Sequence, residues 1–202
     1  MVFFYIMYER VVKMRIILAS KSPRRKELMD LLKLDYEIVV SNADETHEKN
    51  LSIEEESKRL SYIKAKKVFD QTSGDRMVIG SDTMVIKDNK IYEKPKDNAD
   101  AKRMLKELQG KKHEVITSLC VLIQEDGKYK EYIDYDKANV YIKNMSDEEI
   151  DNWIKVGNPL DKAGAYAIQS GFCVFVDKIE GNHTTVIGLP MHKLYDVILQ
   201  TL

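Results

Sequence analysis

Leu18-Ala19-Ser20-Lys21-Ser22-Pro23-Arg24-Arg25-Lys26-Glu27-Leu28 is the stretch from which the rest of this chain is read. Ahead of it, Arg15-Ile16-Ile17-Leu18 is a short apolar, β-branched run with the pattern of a buried strand. Behind it, Leu28, Leu31 and Leu32 fall at helical spacing, so one face from Ser22 onward is expected to pack on a sheet. Ser22 suits the N-cap and Pro23 the first helical position, where a missing N–H costs nothing. A strand thus feeds directly into a helix N-terminus, whose exposed N–H groups and positive dipole end attract anions. Arg24 and Arg25 lie in that first turn, where cations oppose the dipole. An outside anion would reconcile them, and guanidinium forks match phosphate oxygens. The alternative is an ordinary capped surface helix carrying two solvated arginines. Neither G-x-x-x-x-G-K-[ST] nor G-x-G-x-x-G occurs, which excludes the common glycine-rich phosphate loops.

Composition narrows the class. At 202 residues the chain can bury a substantial core, and a net charge of −1 argues against coating nucleic acid or an anionic membrane. No apolar run approaches the roughly 20 residues of a membrane span. Cys120 and Cys173 lie far apart in apolar runs and read as buried free thiols of a reducing compartment, giving a cytoplasmic expectation. Residues 1–13 are hydrophobic but lack the parts of a signal peptide. They read as an extension upstream of a natural start at Met14, with a signal anchor as the weaker alternative and 14–202 as one domain.

The elements then alternate. Tyr36 to Val40 reads as a strand, followed by a polar loop, 41–50, that carries Asp44 and Glu45. Ser52 and Glu55 have capping-box spacing at the head of a helix running to about Phe69. On it Ile53, Leu60 and Val68 share a face with Lys64 in its middle; Lys67 is nearly as well placed, and spacing does not choose between them. Met77 to Ile79 reads as a short strand that breaks at Gly80-Ser81-Asp82-Thr83 before Met84 to Ile86 resumes. Asp82 is a carboxylate in an apolar segment, costly unless hydrogen-bonded, paired or metal-bound. Ala99 to Leu108 is expected to be a helix, His113 to Ile123 and Tyr129 to Ile142 a ribbon, and Ser146 the cap of another helix closed by Gly157. Phe172 to Val176 reads as a strand, and a last amphipathic helix ends near Leu202. Strands alternating with helices, plus one long hairpin, indicate an α/β fold with a mixed sheet.

Several motifs stand in a specific order: Ser-x-Ser-Pro-Arg-Arg-x-Glu-Leu (20–28), Asp-Glu (44–45), Ser-Asp-Thr (81–83), Glu-Lys-Pro (93–95), His-x-Val-x-Thr (113–117), Leu-Asp-Lys-Ala-Gly-Ala-Tyr (160–166) with Ile-Gln (168–169), and Gly-Leu-Pro (188–190). From about residue 14 onward this order resembles the Maf family of nucleoside triphosphate pyrophosphatases. The resemblance implies an elongated mixed sheet with flanking helices, in two lobes around a cleft, similar to the inosine triphosphate pyrophosphatases. It also implies cleavage of a nucleoside triphosphate to its monophosphate and pyrophosphate with Mg2+ or Mn2+, a house-cleaning activity. Ser22, Arg24, Arg25, Lys64, Lys94 and Lys162 would hold phosphates, although a solvated surface lysine is the bland reading of Lys162. The family pattern favours Lys64 over Lys67. Asp82 matches the proton acceptor for the attacking water and could equally hold the metal. Glu45, ahead of Asp44, would be the second acidic group at the metal.

Arg25, Thr83 and Gln169 match positions that tune base choice in the dTTP/UTP branch. A carboxamide can pair with the N3–H and a carbonyl of thymine or uracil. Tyr-x-Ile-Gln (166–169) fits that branch better than the one acting on a methylated purine nucleotide. Ala167 and Ser170 stand where the branch has glycines, which puts in question any left-handed backbone there. The competing expectation from the family's history is a non-catalytic nucleotide-binding regulator of septum formation, and a homodimer is open.

Overall fold

The computed structural model describes residues 14–48 and 50–201; the extension read over residues 1–13 lies outside them. Seven strands form one mixed sheet in the order β2-β1-β3-β5-β6-β7, with β4 paired to β3. The strands are β1 (Arg15–Leu18), β2 (Glu37–Ile38), β3 (Arg76–Lys87), β4 (Lys90–Tyr92), β5 (Lys112–Glu125), β6 (Lys128–Ile142) and β7 (Val176–Glu180). The helices are α1 (Pro23–Asp30), α2 (Ile53–Gln71), α3 (Asn98–Leu108), α4 (Asp147–Val156), α5 (His183–Ile187) and α6 (Met191–Thr201). This is the expected α/β class.

The chain divides into two compact units, the first comprising residues up to Asp82, Thr117–Asp136 and Gly188 onward, the second Thr83–Ile116 and Lys137–Ile187. In the first unit β1 lies between two parallel partners, β2 and β3, which is why Ile16, Ile17 and Leu18 form an uninterrupted apolar run: both faces are covered. Ile17 and Ala19 pack with Val78, Cys120 and Leu122 against Ala65, Val68 and Phe69 of α2. In the second unit the core gathers Leu105 and Leu108 of α3, Ile150 and Trp153 of α4, and the fully buried Phe172. Truncating a buried phenylalanine of this kind to alanine costs about 3–5 kcal/mol.

Four readings of the sequence change. First, Gly80 does not break a strand, because β3 runs through Gly80-Ser81-Asp82 without interruption. A Cβ at Gly80 would run into the Ser61 carbonyl and lie 2.8 Å from Ala65 Cβ, so the glycine lets α2 press against the strand. Second, α1 stops at Asp30, so its buried face is Leu28 and Met29, and Leu31 is left exposed. Third, the strand expected over 36–40 shrinks to two residues at the sheet edge. Fourth, Gly171–Phe175 is a 3-10 turn that precedes β7, which exposes Cys173; Cys120 is the buried thiol of the two. The capping boxes at Ser52/Glu55 and Ser146/Glu149 form as read.

Candidate active site in the first unit

Lys64 settles the ambiguity that spacing left on α2. It is buried, whereas Lys67 is exposed. Its ammonium lies 2.6 Å from Asp82 Oδ1 on β3 and 2.8 Å from Glu45 Oε2 on the polar loop. Asp82 is itself buried, so its charge is balanced by an inward lysine instead of by water. Asp44 turns elsewhere. Its Oδ1 accepts from the Thr46 backbone N–H at 3.0 Å and the Thr46 hydroxyl at 2.6 Å, and these bonds hold its carboxyl below the usual carboxylate range.

The β1–α1 junction supplies the arginines. Ser22 occupies the N-cap position with Pro23 behind it, but its side chain makes no capping bond, and the first turn carries no acidic residue. Arg25 donates from Nε to the Gly188 carbonyl at 2.8 Å and from Nη1 to Ser20 Oγ at 3.2 Å. Loss of water around its guanidinium lowers the Arg25 pKa; the Asp82 and Glu45 charges oppose that shift and the Arg24 charge adds to it. A guanidinium so placed still keeps its proton at physiological pH. Gly188 has φ +124°, a backbone open to glycine and strained for other residues. The Ser81 hydroxyl lies 3.0 Å from the same Gly188 carbonyl and 2.8 Å from the Ser118 carbonyl. Ser20, Ser81 and Gly188 thus fix Arg25 and the start of α6. All three stand in the motifs quoted above, but spacing alone does not show that they serve one arginine.

Lys64, Asp82 and Glu45 therefore converge, Arg25 bears on the same two carboxylates, and the Arg24 charge bears on Arg25. The remaining expected residues belong to the second unit. Lys94 is exposed just beyond β4, Gln169 is exposed and Thr83 half-buried. Lys162 is not the solvated surface lysine of the bland reading: it is buried, and its ammonium is held 2.6 Å from the Asn158 carbonyl and 2.5 Å from Asp161 Oδ1. Ser170 has φ −103° and Ala167 is not among the residues with positive φ, so neither position needs glycine here. The left-handed residues of that stretch are Gly164 and Ala165.

The acidic pair suits a hard divalent cation. Magnesium is commonly held by one or two carboxylates with substrate phosphates and water, and Glu45 and Asp82 already share one cationic centre, the Lys64 ammonium. Among the described residues no group of three or more His, Cys, Asp or Glu gathers into a metal cage.

A profile of Maf-like proteins matches residues 15–201. The chain belongs to the Maf family. Its relatives include proteins named dTTP/UTP pyrophosphatase. The one from Thermoanaerobacter sp. (strain X514) is 44% identical over 189 residues, 92% of this chain and 95% of that one. The one from Alkaliphilus oremlandii (strain OhILAs) is 46% identical over 180 residues, covering 89% and 92%. The one from Thermosipho africanus (strain TCF52B) is 45% identical over 187 residues, covering 92% of both chains. Among solved structures, a dITP/XTP pyrophosphatase from Mycobacterium abscessus overlaps 64% of this Maf chain and 74% of its own, with 18% identity and a TM-score of 0.39.

Proposed function

We infer that this Maf protein hydrolyses dTTP and UTP to the nucleoside monophosphate and pyrophosphate, by attack of water at the α-phosphorus. The observation that carries the reading is the buried Lys64 between Asp82 and Glu45, next to the Arg24–Arg25 helix start, in a chain whose relatives bear that name. A protein that only sensed a nucleotide would need the cations but not a buried carboxylate beside them.

Phosphoryl transfer asks for positioning and charge neutralisation more than for covalent chemistry. Arg24 and Arg25, with the α1 N-terminus and Ser22, bind the triphosphate oxygens and offset the charge that grows there. Lys64 adds an ammonium from the α2 side. Asp82 accepts the proton of the attacking water, a role worth about 10²–10⁴-fold in rate. Glu45 and Asp82 are the residues that would hold Mg2+ or Mn2+, which when bound supplies further neutralisation of phosphate charge and makes water a better nucleophile. For the second unit we propose the family roles: Lys94 and Lys162 toward phosphate, Thr83 and Gln169, with Arg25, toward base choice. No helix among the described residues is long and apolar enough to cross a membrane. We place the activity in the cytoplasm as house-cleaning of surplus or modified pyrimidine nucleotides.

The test is a panel of nucleoside triphosphates assayed side by side with Mg2+ and with Mn2+. The expected result is the highest kcat/KM for dTTP and UTP, with pyrophosphate as co-product. Turnover confined to purine nucleotides, or tight binding without turnover, overturns the reading.

A further inference from the structure

The loop that carries Glu45 is fastened to α2 by a second set of contacts, two helical turns before Lys64. Glu56 is 3% exposed, although it sits on a helix whose buried positions are mostly apolar or small. Its Oε1 accepts from the Glu48 backbone N–H at 3.2 Å and lies 3.0 Å from His47 Nδ1. Arg59 grips both Glu56 oxygens, Nε to Oε2 at 2.7 Å and Nη2 to Oε1 at 2.8 Å, and the same Nη2 donates to the Thr46 carbonyl at 2.7 Å. Arg59 also faces Glu48 Oε1 at 3.5 Å. The Arg59 bonds draw the Glu56 carboxyl below its ordinary range, so it stays an acceptor at neutral pH.

Burying a carboxylate costs free energy unless charged partners compensate, and here the compensation is spent on the main chain of an otherwise exposed loop. The residue directly before Thr46 is Glu45, whose side chain must reach Lys64 and Asp82. We infer that Glu56 and Arg59 are positioning residues that set the Thr46–Glu48 main chain and thereby aim the Glu45 carboxylate at the metal. They act through the loop and touch neither substrate nor metal. The inference rests on the reading of Glu45 as a metal ligand, and the experiment keeps the two apart.

The Mn2+ affinity of the full chain saturated with the non-hydrolysable α,β-imido analogue of dTTP is measured by electron paramagnetic resonance. The proteins compared are wild type, Glu45→Gln, Arg59→Leu, Glu56→Gln and the Glu45→Gln/Arg59→Leu pair. The Mn2+ concentration for half-maximal dTTP turnover is measured beside it. Outer residues that orient a metal ligand typically contribute about 10–100-fold in affinity, so Arg59→Leu and Glu56→Gln are each expected to weaken Mn2+ by about tenfold. Their kcat at saturating Mn2+ should stay within about twofold, because only the metal requirement has been shifted. In the Glu45→Gln background Arg59→Leu should add almost nothing. If Glu45→Gln weakens Mn2+ while Arg59→Leu and Glu56→Gln leave it unchanged, or if the Arg59 effect persists in full without Glu45, the positioning role is wrong and the Glu45 assignment stands. If Glu45→Gln itself leaves Mn2+ affinity unchanged, the Glu45 assignment is wrong and the positioning role falls with it. Should Arg59→Leu fail to fold, Glu56→Gln, which keeps the side chain's size and one acceptor, decides alone.

Discussion

Each compact unit buries titratable side chains, and the Lys64 cluster of the first and the His113 cluster of the second treat them in opposite ways. In the first unit Lys64 and Asp82 go under together, with Glu45 as a third partner. In the second, His113 goes under with a single bond, its Nε2 lying 2.6 Å from the Tyr166 hydroxyl, while the buried Nδ1 has no partner. Burial, seconded by the Lys87 charge, pushes the His113 pKa down to about 4, and burial pushes the Tyr166 phenol up, so both are neutral at physiological pH. Around them Trp153, Tyr166 and Phe172 meet ring to ring, and Trp153 Nε1 donates to the Ala165 carbonyl at 2.9 Å. The Lys64 cluster keeps charge inside by pairing it, as Lys162 does with Asp161 in the second unit; the surroundings of His113 remove charge and pack aromatics. A reaction that needs a base and cations draws on the first arrangement. The second is the means of holding a turn that contains the left-handed Ala165.

The largest effect should come from Asp82→Asn. It keeps the shape and one acceptor but removes the proposed proton acceptor, and kcat for dTTP should fall by about 10³-fold or more with nucleotide binding retained, measured by steady-state kinetics and calorimetry. Near-normal turnover would erase the contrast between the two clusters. Lys64→Met comes next. It leaves two carboxylates facing each other without their cation, so the fold should lose up to about 3 kcal/mol in urea titrations and kcat/KM about 100-fold.

The third prediction concerns the neutral cluster and has a defined sign. The folded pKa of His113 lies below its unfolded value of 6.5. Between pH 6.5 and about 4 the unfolded chain therefore takes up a proton that the folded chain refuses, and stability falls as pH falls through that window. The loss from this residue should be on the order of 3 kcal/mol across the window. His113→Gln should flatten that part of the stability–pH curve while leaving kcat at pH 8 close to wild type. A curve that keeps its full slope in the variant would show that the histidine is not buried neutral. The smallest effect belongs to Gln169→Ala, expected to lower discrimination between UTP and CTP by roughly tenfold without changing the unfolding midpoint, because the residue is exposed.

Much of this was legible in the residue order, for identifiable reasons. Ile16-Ile17-Leu18 reads as a strand because parallel partners on both sides demand an unbroken apolar run. Ser52/Glu55 and Ser146/Glu149 read as helix starts because the cap is a local interaction. What escaped depended on distant partners. Gly80 looked like a break because its reason lies on α2, at Ser61 and Ala65. Lys64 and Lys67 were inseparable by spacing, since only the carboxylates of Glu45 and Asp82 distinguish them. Glu56 did leave a trace. It lies eight residues before Lys64 and four before Leu60, so a second ionisable residue sits on the same helical stripe. Two charges on one buried stripe point to two partners, and the Glu45 loop supplies the attachment points for both.

Hydrolysis of dTTP in ¹⁸O-enriched water tests the central claim most directly. If the charges of the first unit ready water against the α-phosphorus, one ¹⁸O atom enters dTMP, the pyrophosphate is unlabelled, and Asp82→Asn forms neither product at a comparable rate. Label in pyrophosphate, or orthophosphate with dTDP as products, would contradict the account.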